Sequence, residues 1–441
     1  MEASLQQQGR LTQAATSDKL LKQGVWAYFF LLIFEGALRK WTLPALATPL
    51  LIVRDPLAIW LLVTTWRRGL LPENGYITSM VIITAISFIT SMLLGHGNLF
   101  VAIFGARILL IHFPLMFVIG RIFTREEVVK IGIALLWIAV PMAVLVALQF
   151  YSPQSAWVNR GVGGDMEGGG FNGGALGYFR PPGTFSFTTG LTQFYSFVAP
   201  FIFYFWLYPK GVPRLLLIAA TASLFAVVPM SISRGLLFQV GISALFMFIA
   251  TVRQPRYLGH MLLAACGVVV VVAALSQTAF FQTAIEVFSI RFENASGTEG
   301  GLQGTLIDRY LGSLLAPLVQ GASAPFFGYG LGMGTNVGSM LLTGGTDFLI
   351  SEGEWGRLIG EMGLVMGLAI IFMRLSFCVK VGLACYSKLA ANDILPWMLL
   401  SFGLLIIIQG QWAQPTALGF STFIGGLLIA SLRTPSAAAS A

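Results

Sequence analysis

Charged residues are scarce in this chain of 441 residues: Asp, Glu, Lys and Arg together make up 10% of it, whereas hydrophobic residues make up 56%. The mean hydropathy is +0.81. A water-soluble protein of this length could not bury so much apolar surface, so the composition predicts an all-α polytopic membrane protein. The net charge of +8 then reflects basic residues in cytoplasmic connections, and no nucleic-acid partner is expected.

Cysteine and histidine are also rare, with three residues of each type. The three cysteines lie inside apolar runs, which excludes a disulfide framework and favours buried thiols. The histidines are scattered, and they show neither metal-ligand spacing nor a Ser-His-Asp arrangement. We therefore expect no metal and no cofactor. Residues 1–22 are polar and lack a signal-peptide cleavage pattern, so the first apolar segment is expected to be retained as an anchor.

About twelve apolar runs approach the roughly 20 residues that a helix needs to cross a bilayer. They lie at 23–39, 44–65, 76–94, 98–120, 128–150, 189–208, 214–231, 234–252, 257–277, 361–386, 394–411 and 416–432. The second run carries Arg54-Asp55-Pro56 in its middle, which indicates a broken or re-entrant helix that lines a polar cavity. Glu35 and Arg107 also fall within apolar runs, and they too need polar partners.

The charge of the connections alternates along the chain, and basic connections mark the cytoplasmic side. This pattern predicts a cytoplasmic tail at 1–22, one transmembrane domain at 23–432 and a second cytoplasmic tail at 433–441. The loops 151–188 and 278–350 then lie on the periplasmic side, and the second loop is long enough to contain short helices. Arg39 and Lys40 are the exception, because they fall on the outer side, where they are expected to reach lipid headgroups or a lipid phosphate.

Four arginines are expected on the outer side: Arg180, Arg234, Arg309 and Arg357. A guanidinium is always charged, and its planar fork matches two phosphate oxygens at once, so several together suit a diphosphate group. The structural alternative is headgroup anchoring or pairing with nearby carboxylates. Arg234 favours function, because a charge in a very short turn between two apolar helices is costly without a task.

Carboxylates cluster just before the tenth apolar run. Glu354, Arg357 and Glu361 are spaced by three and four residues, so they share one face of a helix. Beside arginines at the edge of lipid, Glu352 or Glu354 could act as a general base toward a hydroxyl group. The structural alternative is acidic residues placed at a helix N-terminus to complement its dipole.

A glycine-rich stretch at 328–334 reads GYGLGMG. It lacks the Lys-Ser/Thr of a phosphate-binding P-loop and has no strand–helix context, so a nucleotide site is not supported. Two readings remain. Gly328 and Gly330 allow either close packing of backbone against backbone or a close approach to a lipid-linked phosphate or sugar.

Four segments, in this order, resemble the O-antigen ligase and polymerase superfamily of bacterial envelope glycosyltransferases. They are Arg180-Pro181-Pro182-Gly183-Thr184-Phe185, Ser233-Arg234-Gly235, Phe327-Gly328-Tyr329-Gly330-Leu331-Gly332 and Glu361-Met362-Gly363. The resemblance covers roughly residues 70–432. Ligase members carry a His-Asn pair nine residues before that Glu, where this chain has Glu352 and Gly353. This departure favours a polymerase or a distinct branch over a lipid A-core ligase.

The resemblance implies a glycosyltransferase-C-like membrane fold and a polyprenyl-diphosphate-linked glycan donor, with no nucleotide sugar. It implies that Arg180, Arg234 and Arg309 hold the diphosphate, that Glu352 or Glu354 activates the acceptor hydroxyl, and that the anomeric carbon is inverted. Arg357 is a further candidate for the diphosphate, and Glu361, Gly328 and Gly330 are candidates for supporting roles.

The leading hypothesis is therefore a glycosyltransferase of the bacterial cytoplasmic (inner) membrane that polymerises lipid-linked repeats into surface polysaccharide on the periplasmic face. Its partners would be the glycan donor, a glycan acceptor and membrane lipids, with a chain-length regulator and a flippase as candidate protein partners. Transfer of glycan to lipid or protein is one alternative. A transporter or flippase for lipid-linked glycans is another, based on the number of spans and the intramembrane charges.

Overall fold

The computed structural model describes residues 2–71, 73–165, 173–299, 325–345 and 348–433. Helices dominate these residues, and two short strands, β1 (Gly173–Ala175) and β2 (Tyr178–Phe179), form an antiparallel hairpin. The α-helices in chain order are α1 (Glu2–Ala37), α2 (Ala47–Leu50), α3 (Arg54–Arg67), α4 (Gly75–Leu93), α5 (Leu99–Arg107), α6 (Phe113–Ile122), α7 (Arg125–Tyr151), α8 (Thr188–Leu207), α9 (Arg214–Met230), α10 (Arg234–Arg253), α11 (Leu258–Ser276), α12 (Ala279–Glu299), α13 (Asn336–Thr343), α14 (Glu354–Ala390), α15 (Leu395–Gln409) and α16 (Pro415–Leu432).

Ten helical segments of the described chain are long and apolar enough to cross a membrane, and α9 and α15 are shorter apolar helices beside them. The prediction of an all-α polytopic membrane protein is confirmed at this level. With 15 residues, α15 is only about 22 Å long at 1.5 Å per residue, against a hydrocarbon core of roughly 30 Å. Gln409, the last residue of α15, lines a cavity that is described below.

Two sets of connections lie at opposite ends of the bundle. At one end Lys40 donates to Gly183 O at 2.6 Å, and Gln411 donates to Glu352 O at 2.7 Å. We call this the loop end; it carries residues 152–187, 231–233, 325–353 and 410–414. The opposite end is held by ion pairing between Arg125 and Asp393 at 2.7 Å.

The predicted break in the second span is present. Residues 44–67 form a 3₁₀ turn (Pro44–Leu46), then α2 and α3, with an irregular step at 51–53 between the two helices. Pro56 lies in the first turn of α3, where its missing N–H is tolerated. The break places Arg54 and Asp55 at the buried start of a helix.

The charged side chains within the apolar runs form ion pairs with one another. Arg54 Nε donates to Glu35 Oε2 at 2.9 Å, and Arg107 Nη1 donates to Asp55 Oδ2 at 2.6 Å. His112 Nε2 lies 3.0 Å from Asp55 Oδ1. Charges buried in a membrane protein are tolerated when they are paired in this way, so these side chains join α1, α3, α5 and the π-helical turn after α5.

Helix α14 is a helical hairpin. Gly363 has φ 78° and ψ 169° in its interior, which reverses the chain. A Cβ on Gly367 would lie 2.7 Å from the Cα of Ile359, eight residues earlier, whereas in a straight helix these residues are about 12 Å apart. The predicted span at 361–386 therefore begins after Gly363, and Glu361 lies in the short arm that folds back along it.

The glycine-rich loop at 328–334 packs against the point where α14 reverses. Tyr329 N donates to Gly360 O at 2.8 Å, and Gly330 N donates to Glu361 O at 3.0 Å, which satisfies carbonyls that the broken helix leaves open. Gly328 and Gly330 have positive φ and touch the backbone of Glu361 and the ring of His96. Of the two readings of this loop, the structure shows close packing within the protein.

Candidate functional site

The segment Arg180-Pro181-Pro182-Gly183-Thr184-Phe185 is anchored through its glycine. Gly183 has φ 60°, and its N–H donates to Gln149 Oε1 at 2.7 Å. Its carbonyl accepts from Gln149 Nε2 at 3.2 Å and from Lys40 Nζ at 2.6 Å. The residues after Arg180 are thus buried scaffold, and Arg180 is left at the edge of that scaffold.

Arg39 and Lys40 belong to the same scaffold. Their exposed fractions are 8% and 1%. Arg39 Nη1 donates to Ser186 Oγ at 2.9 Å and its Nε to Ala47 O at 2.8 Å. The expectation that this pair reaches lipid headgroups or a lipid phosphate is wrong, because both side chains turn inward to hold loop backbone.

Arg180 is a half-buried cation among other cations. Its Nε is buried without a hydrogen-bond partner among the described residues. Burial lowers the pKa of Arg180, and the positive charges of Arg291 and Arg234 lower it further. Neighbouring like charges disfavour the charged form, so this arrangement is stabilised when an anion enters it.

Arg234 is the first residue of α10. Ser233 caps that helix by accepting from Leu236 N at 3.3 Å, and its hydroxyl also accepts from Thr192 Oγ1 at 3.1 Å. The N-terminus of a helix carries partial positive charge, so a cation placed there opposes the dipole. The position of Arg234 therefore adds to the positive potential at the N-terminus of α10.

Arg291 is a residue that the sequence analysis missed. It lies on α12, which packs against β1 and so reaches the segment that precedes Arg180. The only signal for it was an arginine flanked by Ile290 and Phe292 in a stretch that looked like loop. Arg180, Arg234 and Arg291 together are called the arginine cluster below; Arg309 lies outside the described residues.

The hairpin of α14 builds a second group of charges, called the ion-pair cluster: Glu354, Arg357, Glu361 and Arg374. Arg357 Nε and Nη2 donate to Glu354 at 3.0 and 2.9 Å, and its Nη1 donates to Glu361 Oε2 at 2.7 Å. The helical spacing predicted for these three residues is present. Each guanidinium nitrogen of Arg357 already has a carboxylate partner, and 3% of the residue is exposed.

Glu354 is surrounded by donors. Its Oε1 also accepts from Arg374 Nη1 at 2.7 Å, and its Oε2 accepts from Trp412 N at 3.0 Å. Glu361 Oε1 accepts from Gly334 N at 2.9 Å. The Glu354 carboxylate thus accepts four hydrogen bonds, three of them from the buried guanidiniums of Arg357 and Arg374, and both of its oxygens are engaged by donors of the protein.

Glu352 differs from Glu354 in exposure. It is solvent-exposed, two residues before the hairpin, and its backbone carbonyl is fixed by Gln411. An exposed carboxylate on an anchored backbone can accept a proton from a hydroxyl group that is brought to it. Of the two carboxylates predicted as bases, Glu352 is the accessible one.

A cavity of ≈ 340 Å³ opens between α8, α10, α14 and α15 at the loop end. Gly235 and Gly353 lie in its wall, immediately after Arg234 and Glu352. Its polar lining includes four glutamine side chains, and we call it the glutamine cavity; they are Gln193, Gln239, Gln409 and Gln411. The cavity therefore adjoins both a member of the arginine cluster and the accessible carboxylate.

Within the described residues, no group of three or more His, Cys, Asp or Glu side chains could hold a metal ion. No protein-family model matches the chain, and no curated protein matches its sequence.

Proposed function

We propose that the protein is a membrane glycosyltransferase that elongates polyprenyl-diphosphate-linked oligosaccharide repeats at the loop end of the bundle. The observation that carries this proposal is the convergence of Arg180, Arg234 and Arg291 beside a polar cavity whose wall continues into Glu352. Arg234 and Arg291 act on Arg180 as like charges, and a diphosphate would offset that repulsion.

The chemistry assigns one role to each group. The acceptor hydroxyl oxygen attacks the anomeric carbon of the donor sugar, and the bond from that carbon to the phosphate oxygen breaks. The hydroxyl proton passes to the Glu352 carboxylate, and the leaving polyprenyl diphosphate is stabilised by the arginine cluster. Attack opposite to the leaving group inverts the anomeric carbon.

The ion-pair cluster has a structural role in this proposal. Glu354 and Arg357 use their hydrogen-bonding groups on each other and on Glu361 and Arg374. They hold the α14 hairpin, and the hairpin positions Glu352. The roles predicted for Glu354 as a base and for Arg357 as a phosphate ligand therefore pass to Glu352 and Arg291.

The proposal places the loop end on the periplasmic face of the bacterial inner membrane, with both termini cytoplasmic. The alternation of charge in the connections supports this orientation. One of the two supports for the transporter alternative is weakened, because Glu35 pairs with Arg54 and Asp55 pairs with Arg107 inside the bundle.

The test is electrophoresis of surface polysaccharide and of lipid-linked repeats from cells that carry wild type, Arg180→Ala or Glu352→Gln. We expect high-mass polysaccharide to collapse to single repeats in both variants, because a general base contributes about 10²- to 10⁴-fold. The matched controls are Arg68→Ala and Glu126→Gln, two exposed residues at the opposite end.

Two results would redirect the assignment. Normal chain length in both variants, with normal protein levels, would overturn the proposal. Full-length lipid-linked polymer that fails to reach its final lipid or protein would assign the same site to a ligase-type transfer instead.

A further inference from the structure

The glutamine cavity is lined mainly by neutral hydrogen-bonding groups. Gln193 contributes a carboxamide whose Oε1 is buried and has no partner among the described residues. Gln409 and the hydroxyls of Thr189 and Ser196 also line the wall. An unpartnered buried acceptor costs free energy unless a ligand or water satisfies it, so these groups are suited to a ligand rich in hydroxyl or amide groups.

The described residues that line the cavity offer no spare charge. Glu354 alone among them is ionisable, and its carboxylate already accepts from Arg357, Arg374 and Trp412 N. A ligand carboxylate would lose its hydration here, and no cation among the described lining residues would pair with it. The lining therefore discriminates against anions.

Apolar side chains complete the wall. Trp355 is half-buried, with its indole N–H donating to Ile408 O at 3.2 Å, and Phe402 and Leu405 lie beside it. Ligand sites commonly combine aromatic and apolar surface with a few polar groups that fix orientation. A sugar ring, which has apolar C–H faces and polar edges, fits this combination.

We propose that the glutamine cavity is the subsite for the sugar ring nearest the diphosphate, and that it selects uncharged or N-acetylated sugars over uronic acids. This inference rests on the proposed function for the identity of its ligand. The cavity volume of ≈ 340 Å³ is at the low end of the roughly 300–1,000 Å³ of small-molecule sites, so it takes one or two rings and not a whole repeat.

The first experiment measures binding without the reaction. Saturation-transfer difference NMR is recorded on the detergent-solubilised full chain with methyl glucoside, methyl N-acetylglucosaminide and methyl glucuronoside as probes. We expect at least one neutral probe to bind at least tenfold more tightly than the glucuronoside. Gln193→Leu and Gln409→Leu should each weaken binding of that neutral probe at least tenfold. Gln277→Leu, at an exposed position outside the cavity, should leave its binding unchanged.

A second experiment fills the cavity. Gly235 lines the cavity, and a Cβ on it would meet nothing closer than 3.7 Å, so the backbone has room for a Cβ at this position. Gly235→Phe should abolish binding of the neutral probe. Gly241→Phe is the control on the same helix, because Gly241 is exposed and has no neighbour within 4 Å.

The outcomes separate this inference from the proposed function. Binding that is lost in Gln193→Leu and in Gly235→Phe supports the subsite even if the wild type elongates nothing. Failure of every neutral probe to bind wild type, equal binding of the glucuronoside, or unchanged binding in correctly folded Gln193→Leu and Gly235→Phe overturns the subsite, and leaves the proposed function to its own test.

Discussion

The ion-pair cluster and the arginine cluster both place guanidiniums at the same end of the bundle, but the charges around Arg357 differ in sign from those around Arg180. In the ion-pair cluster Arg357 and Arg374 are matched by Glu354 and Glu361, and the group is almost completely buried. In the arginine cluster, the charged groups of the described chain that act on half-buried Arg180 are Arg234 and Arg291, and both are positive.

This difference separates groups that stabilise the fold from groups that are set to bind. Buried ion pairs tolerate loss of a partner poorly, because the remaining charge is left uncompensated in a low-dielectric environment. Arg180 is in the opposite situation, because Arg234 and Arg291 are like charges; removal of Arg291 should relieve repulsion on Arg180 and weaken the anion site. The two clusters should therefore respond oppositely in stability and activity.

The largest effect is expected at the centre of the ion-pair cluster. Glu354→Gln leaves Arg357 and Arg374 short of a negative charge in a buried site, which should cost about 3–5 kcal/mol of stability. The measurement is the apparent Tm in detergent together with the protein level in the membrane. Glu352→Gln is the matched control and should unfold like wild type. A normal Tm for Glu354→Gln with lost activity would instead make Glu354 the chemical group.

Substitution at the reversal in α14 should lower stability almost as much. Gly363→Ala forces a side chain into a positive-φ position where its Cβ would overlap Phe326 O, with a cost of at least ~1–3 kcal/mol. Gly259→Ala, at an exposed helical position with no neighbour within 4 Å, should be neutral or slightly stabilising. Equal Tm values for the two variants would contradict the hairpin.

A smaller and purely functional effect is expected at Arg291. Arg291→Ala should remove one charge-assisted hydrogen bond to phosphate. That loss, about 1.5–3 kcal/mol, should slow elongation about 10- to 150-fold. The Tm should stay equal or rise, because a like charge near Arg180 has been removed. Both quantities are measured on the same preparation, with Arg214→Ala as the exposed control. A falling Tm with full activity would move Arg291 to the structural group.

The smallest effect is expected at Lys40. Lys40→Met removes a buried cation that donates to Gly183 O, and that carbonyl keeps its hydrogen bond from Gln149. Replacement of a buried charge by an apolar side chain of similar length is often neutral, so we expect a change in stability within about 1 kcal/mol. Strong loss of lipid binding or activity would restore the phosphate-anchoring role.

Local patterns in the sequence predicted what depends on near neighbours. The segment Arg54-Asp55-Pro56, with two charges and a proline, predicted the broken span. Spacings of three and four residues predicted that Glu354, Arg357 and Glu361 share one face of a helix. Helical periodicity reports only which residues share a face along a continuous helix. It could not show that Gly363 reverses the chain, or that Arg374, twenty residues after Glu354, is its partner.

The same limit applies to the arginines. Arg357 was predicted as a diphosphate ligand because of its charge and its position near a loop. Whether a guanidinium can bind a ligand depends on the side chains that lie next to it in the folded protein. Arg291 was missed because the segment 278–350 looked like loop, whereas α12 carries it to the hairpin of β1 and β2. Charge alone therefore identifies candidates, and compensation in the folded chain decides among them.

The most direct test of the central claim is elongation of a purified lipid-linked repeat by the full chain in proteoliposomes. Wild type and Glu352→Gln are compared after their Tm values have been shown to be equal. We predict that wild type forms polymers and releases polyprenyl diphosphate, and that Glu352→Gln, equally folded, is at least about 100-fold slower. Elongation by Glu352→Gln at the wild-type rate would contradict the assignment of this end of the bundle as the site of transfer.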